Sequence, residues 1–301
     1  MEVCVMNKFV CVMLVAAALL SASPAWSAHG DAKPDKMGIL VSSFGTSMPE
    51  ARPAIDNLVE AARKAFPDAE VRLAFTSNII RRKIARERNE VVPTPVQALA
   101  AMNDEGFTHV YVMPTHIIPG EEYDEMQNVV DAFASLKGKY GFKKIALGAP
   151  CLNGVEDCDK MAKLLMTRFE KQLKDKGTAI VLMGHGTPEH IAHAMYSQLQ
   201  FSLDKVAYGR FFLGTVEAEP KVEDVIRALK RHKDIRKLVI SPLMIVAGDH
   251  ANNDLAGADD EESWLNVLKK AGYKDVTPYL VGLGQDENIA KSFVERIREM
   301  M

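Results

Sequence analysis

Three residues whose chemistry suits a divalent metal stand at matching places in the second half of this 301-residue chain: His185, Glu217 and His250. His185 directly follows the apolar run Thr178–Gly184, Glu217 lies just beyond residues 211–214, and His250 lies beyond residues 237–241. Each run is short, apolar and bounded by turn residues, which predicts a buried strand. In a parallel sheet the carboxyl ends of the strands share one edge, and ligands bind beyond that edge. Two imidazoles and one carboxylate meeting there suit a borderline ion such as Co2+, Fe2+, Ni2+ or Zn2+. Glu219, two residues on, is an alternative third ligand. His190, His193 and His232 read instead as hydrogen-bonded loop residues or helix caps.

The elements that must position these residues recur twice. In the first half, strands are expected at 38–44, 71–75, 110–113 and Lys144–Leu147; in the second, at Thr178–Gly184, 211–214, 237–241 and 276–280. Helical patterns separate them, the signature of a parallel α/β sheet. Ser47 and Glu50 stand in capping-box spacing with Pro49 between them, which predicts a helix start. Thr187 and Pro188 predict another. Residues 286–301 predict a closing helix with Ile289, Phe293 and Ile297 on one face.

The halves can be laid on each other. Phe44-Gly45-Thr46 falls on His185-Gly186-Thr187, Phe75-Thr76-Ser77-Asn78 on Gly214-Thr215-Val216-Glu217, and Pro114 through Glu122 on Pro242 through His250. This predicts a duplicated α/β unit, spanning 36–150 and 151–301, with a cleft between the copies. The first-half counterparts of the metal-ligating residues are then Phe44, Asn78 and Glu122. Only Glu122 among them ligates or takes a proton strongly. The turn 183–187 is Gly-rich enough to suit an anion, but it lacks the Gly-Lys-Ser/Thr of a P-loop and a full GxGxxG.

Composition narrows the partners. Lys and Arg number 37 against 40 Asp and Glu, a formal charge of −3, which gives no basic balance for nucleic acid. Two Trp are too few for a base-stacking surface. Residues 1–28 read as a secretory signal: Lys8, an apolar stretch over 9–20, then Ala25 and Ser27 placed for cleavage after Ser27 or Ala28. The stretch falls short of the ~20 residues of a membrane span, so a periplasmic location is expected. Cys4 and Cys11 would leave with the signal. Cys151 and Cys158 are expected as free thiols, because two turns of one helix would hold them too far apart for a disulfide.

Taken in order, Ile39-Leu40-Val41-Ser42-Ser43-Phe44-Gly45-Thr46-Ser47, Phe75-Thr76-Ser77, Pro114-Thr115-His116-Ile117-Ile118-Pro119-Gly120-Glu121-Glu122-Tyr123, Met183-Gly184-His185-Gly186-Thr187, Leu213-Gly214-Thr215-Val216-Glu217 and Gly248-Asp249-His250-Ala251-Asn252-Asn253-Asp254 resemble the anaerobic sirohydrochlorin cobaltochelatase family. The resemblance runs from about residue 37 to the C-terminus. It implies two similar Rossmann-like, chelatase-type α/β domains with a tetrapyrrole between them, and a lyase that inserts Co2+ into sirohydrochlorin for cobalamin synthesis. Iron insertion, giving sirohaem, and a non-catalytic carrier of metal or tetrapyrrole are the alternatives.

The resemblance also implies that His185 and His250 hold the metal, with Glu217 beside them and Glu122 across the cleft. Insertion removes two pyrrole N–H protons, for which an imidazole or carboxylate is an acceptor. Ligation needs neutral imidazole, so binding should weaken in mild acid. Sirohydrochlorin is a polycarboxylate. Its expected contacts are Gly45 and Thr46, at a helix-start turn, Arg82 or Arg81 in the basic run after the second strand, and His116. His109, at the amino end of the third strand, is a candidate for an accessory haem or metal, perched away from the cleft where a homo-oligomer would place its subunit contact. The family works in the cytoplasm, so an exported member poses a question of purpose.

Overall fold

A computed structural model describes residues 34–301; the secretory signal expected over 1–28 lies outside the described residues. Eight strands form two parallel sheets. The first half runs β1 (Met37–Ser43), α1 (Pro53–Ala65), β2 (Glu70–Phe75), α2 (Asn78–Arg88), α3 (Pro95–Asp104), β3 (His109–Pro114), α4 (Glu121–Ser135) and β4 (Lys144–Leu147). The second runs α5 (Val155–Arg168), α6 (Glu170–Leu173), β5 (Thr178–Gly184), α7 (Ala194–Ala207), β6 (Phe211–Thr215), α8 (Val222–Leu229), β7 (Lys237–Pro242), α9 (Trp264–Lys270), β8 (Asp275–Pro278) and α10 (Glu287–Met300). Every expected strand is present, with ends shifted by two residues at most.

The sheets have the same order, β2-β1-β3-β4 and β6-β5-β7-β8, and every pairing is parallel. All seven residues of β5 are buried, which explains its continuous apolar run: helices cover both faces of such a sheet. Because β1 and β5 are central, the chain reverses its direction of winding between β1 and β3, and again between β5 and β7. Ligands of open α/β sheets lie at these switch points.

The two halves share a core. Ile39, Val41 and Ile55 of the first half and Ile180, Leu182 and Leu199 of the second belong to one buried cluster, each such side chain contributing about 1.5–3 kcal/mol by leaving water. Separate clusters cover the far faces, around Leu40 and Leu99 in one half and Val181 and Leu238 in the other. The chain's last helix strengthens the union, since α10 packs on α1 and β3 of the first half. Asp286 caps α10, accepting from the amides of Asn288 and Ile289, and its other oxygen takes Arg168 Nη1 at 3.0 Å. Asn57 Nδ2 donates to the Gly284 carbonyl at 2.7 Å.

Two helix starts differ from expectation. α1 begins at Pro53, not at Ser47. The intervening residues form turns, with Ala51 N–H on the Met48 carbonyl and Met48 N–H on Thr46 Oγ1, and Pro53 supplies the preset φ of a first helical residue. α7 begins at Ala194, not at Thr187. There the chain first makes a short 3-10 turn, Ile191–His193, capped by the His190 ring accepting from Ala192 N–H. Cys151 precedes α5 while Cys158 lies within it, so they do not share a helix. Both are free thiols, and burial pushes both up to about 11.

Candidate functional site

His185 follows β5 without a break, Glu217 follows β6 by two residues, and His250 stands at the end of the loop after β7. The strand register aligns Gly184 with Thr215 and Met183 with Pro242, so the three chain exits lie side by side. One ligand atom from each of His185, Glu217 and His250 falls within 4.8 Å of the others. The imidazoles meet edge to face with centroids 5.0 Å apart. His185 and Glu217 are exposed and His250 is half-buried, so an ion can reach them from the cleft. Glu219 is not one of the group.

The backbone fixes this arrangement. Glu217 N–H donates to the His185 carbonyl at 2.9 Å, and Val216 N–H to the Gly184 carbonyl at 3.0 Å. Gly186 turns the chain at φ 96°, a conformation that favours glycine. Its N–H donates to Tyr196 Oη at 3.3 Å, and burial pushes that phenol's pKa up, keeping it protonated. His193 clamps the two loops together. Its Nδ1 accepts from Thr187 N–H at 3.4 Å, and its Nε2 donates to the Glu219 carbonyl.

Hydrogen bonds also settle which ring nitrogens face a metal. His185 Nδ1 lies 3.0 Å from the Gly186 carbonyl and His250 Nδ1 lies 2.7 Å from Asp254 Oδ2. Both acceptors require an N–H, which leaves the Nε2 lone pairs for the ion.

The wall opposite comes from the first half, and a cleft of about 750 Å³ lies between. That volume suits a large flat organic ligand. Phe44, Ile79, Ile118 and Leu243 give it an apolar lining, into which Glu122 and His116 also project. Glu122 sits in the first turn of α4. His116 Nε2 approaches Glu122 Oε2 to 3.3 Å without hydrogen-bond geometry; the ring is nine-tenths buried and neither nitrogen has a hydrogen-bond partner. A buried imidazole left unpaired costs free energy, and this one lies in the cleft wall beside Glu122.

Gly45 and Thr46 line the cleft and Arg82 does not. Arg81 is committed elsewhere, donating to the Val92 carbonyl and to Asn78 and Gln97. The cation that lines the cleft is Lys83, one residue further along α2, against the carboxylates of Glu121, Glu122, Glu217 and Asp249. His109 lies at the opposite edge of the sheet, with Nδ1 3.0 Å from Thr108 Oγ1 and 3.8 Å from Asp35. Residues whose part in the site sequence reasoning missed are Lys83, Tyr196 and Asp254, while His193 is the hydrogen-bonded loop residue it was expected to be. Of these only Asp254 carried a usable signal, its position four residues after His250.

Fold and site together describe a two-domain α/β chelatase, with a metal-binding wall facing an apolar one. Residues 37–301 match the model of the cobalt chelatase (CbiK) family, and the chain belongs to that family. It is 32% identical over 269 residues to the sirohydrochlorin cobaltochelatase of Salmonella typhimurium, covering 88% of this chain and 97% of that one. It is 31% identical over 280 residues to the sirohydrochlorin cobaltochelatase CbiKC of Nitratidesulfovibrio vulgaris, covering 91% and 96%. Among solved structures, SirB from Bacillus subtilis with Fe3+ shares the fold at a TM-score of 0.60 and 17% identity, over 88% of this chain and 95% of that one. CbiX, described as the terminal enzyme of sirohaem biosynthesis in denitrifying bacteria, does so at 0.53 and 15%, over 88% and 100%.

Proposed function

We propose that the protein inserts Co2+ into sirohydrochlorin, with the ion carried on His185, Glu217 and His250 and the macrocycle lying in the cleft. The observation that carries this reading is the convergence of those three side chains to within 4.8 Å on one wall of a cleft whose lining includes Phe44, Ile79, Ile118 and Leu243. Insertion exchanges protein ligands for ring nitrogens and releases two pyrrole protons. Neutral imidazoles suit the exchange, because they bind through one lone pair and can leave without charge separation. Glu122 and the unpaired His116 on the other wall are the proton acceptors. Lys83, with Gly45 and Thr46 at the β1 turn, meets carboxylates of the ring.

The test is an absorbance assay with purified protein, sirohydrochlorin and Co2+. The expected result is conversion to the cobalt chelate over many turnovers. Stoichiometric binding without conversion would make the protein a carrier instead. Turnover with Fe2+ at equal or greater kcat/KM would make the product sirohaem.

We also propose that the chemistry takes place outside the cytoplasm, on the support of the charged, apolar and small-residue sequence over 1–28. In fractionated cells, the mature protein should start near residue 28 or 29 in the periplasmic fraction; an unprocessed cytoplasmic chain would refute this. His109 has no place in the cleft chemistry. A haem there would give a Soret band lost in His109→Ala, and absence of that band in protein from haem-replete cells would dismiss it.

A further inference from the structure

We infer that Asp254 is a positioning residue for His250, holding its ring so that Nε2 meets the incoming cation, and that the two histidines are therefore unequal ligands. This rests on the metal-site reading above. His250 precedes a single π-helical turn, Ala251–Leu255, a distortion that often marks a functional site. Asp254 stands four residues on, and its Oδ2 lies 2.7 Å from His250 Nδ1. A carboxylate can only accept, so Nδ1 carries the proton. The turn itself is braced. Asn252 Nδ2 donates to the Gly248 carbonyl at 2.8 Å, and Asn253 Nδ2 to Asp249 Oδ1 at 2.9 Å.

His185 has no such carboxylate. Its Nδ1 faces the neutral carbonyl of Gly186 at 3.0 Å. A hydrogen bond to an anion is shorter and roughly twice as strong as one to a neutral acceptor, and it makes the imidazole a stronger donor to metal. His250 with Asp254 is thus the ligand that captures and retains the ion. His185 is the ligand that lets go first when ring nitrogens compete.

The experiment compares wild type with Asp254→Ala, Asp254→Asn and His250→Ala by Co2+ titration in the absence of tetrapyrrole, alongside thermal melts and 15N spectra of the histidine rings. Asp254→Ala should weaken Co2+ binding about 10–100-fold with an unchanged melting temperature. The Nδ1–H signal of His250 in the metal-free protein should give way to a tautomer mixture. Asp254→Asn, whose amide oxygen accepts the same proton, should recover most of the tautomer and part of the affinity. The KM for Co2+ should rise more than kcat falls.

Wild-type affinity and an unchanged His250 tautomer in Asp254→Ala would overturn the inference, provided that His250→Ala does lose Co2+. A lowered melting temperature that Asp254→Asn does not restore would equally overturn it, by making Asp254 structural. If His250→Ala binds Co2+ as wild type does, the ligand set itself is wrong, and the failure belongs to the earlier reading.

Discussion

The two halves share one backbone plan and diverge at the loops that end their central strands. Gly45 and Gly186 turn the chain at φ 99° and 96°. After β1, Thr76 N–H bonds the Ser43 carbonyl and Ser77 N–H the Phe44 carbonyl; after β5, Val216 N–H bonds Gly184 and Glu217 N–H bonds His185. The loops also face each other reciprocally: a Cβ on Gly120 would lie 3.8 Å from Thr187 Cγ2, and one on Gly248 3.8 Å from Thr46 Oγ1. Yet the equivalent side chains are Phe44, Ser77 and Glu122 in one half and His185, Glu217 and His250 in the other. One copy presents a metal-binding wall, the other a wall of Phe44, Ile79 and Ile118 that also carries Lys83, Glu121 and Glu122. Facing copies can therefore specialise, one carrying the ion and the other receiving ring and protons, while the backbone that aims the loops stays the same.

The sharpest way to break this comparison is to delete donors on each side. His185→Ala and His250→Ala should each lower Co2+ affinity and turnover by more than the roughly 10–100-fold expected for a supporting residue. Phe44→Ala, at the mirror position of His185, should leave Co2+ binding unchanged and raise the KM for the tetrapyrrole. Equal loss of Co2+ binding in Phe44→Ala, read by titration calorimetry, would mean that the two walls are not specialised.

Next in size is the anchor of α10, the second-half helix that packs on the first half. Arg168 and Asp286 form a pair whose side chains are 4% and 14% exposed, and Asp286 also caps the helix that crosses to the first half. Asp286→Ala strands a buried guanidinium and removes the cap. It should destabilise the protein by about 3 kcal/mol or more in chemical denaturation. If the halves were independent, the same change would produce two separate transitions instead of one shifted transition.

The strands were legible because they are buried on both faces, which leaves uninterrupted apolar runs such as that of β5. The duplication was legible too, but by one residue imperfectly. Matching Thr76 to Thr215 makes Asn78 the counterpart of Glu217. The ladders pair Ser43 with Phe75 and Gly184 with Thr215, so the true counterpart is Ser77. Residue likeness outweighed register, which only hydrogen bonds define. The basic run after β2 gave charge without phase: which of Arg81, Arg82 and Lys83 enters the cleft depends on how α2 packs, and the answer is Lys83. Ser47 through Glu50 carried a real capping pattern that lost to Pro53. His193 was legible as a hydrogen-bonded loop residue, but not its partner Glu219, 26 residues away. Asp254 was within reach, because four residues is one turn of helix.

The smallest effect tests the corrected equivalence. Ser77 Oγ accepts from Ile80 N–H at 3.3 Å and caps α2, so its loop leads straight into a helix. Glu217 instead enters a non-helical stretch that runs to Pro220 before α8 begins, and its carboxylate is free for an ion. Ser77→Ala should therefore cost about 1 kcal/mol of stability and leave Co2+ affinity alone. Glu217→Gln should do the reverse, weakening Co2+ binding with little change in melting temperature, since an exposed side chain with no structural partner holds nothing together. If Ser77→Ala weakened Co2+ binding while Glu217→Gln did not, the metal would belong to the wall now assigned to the ring.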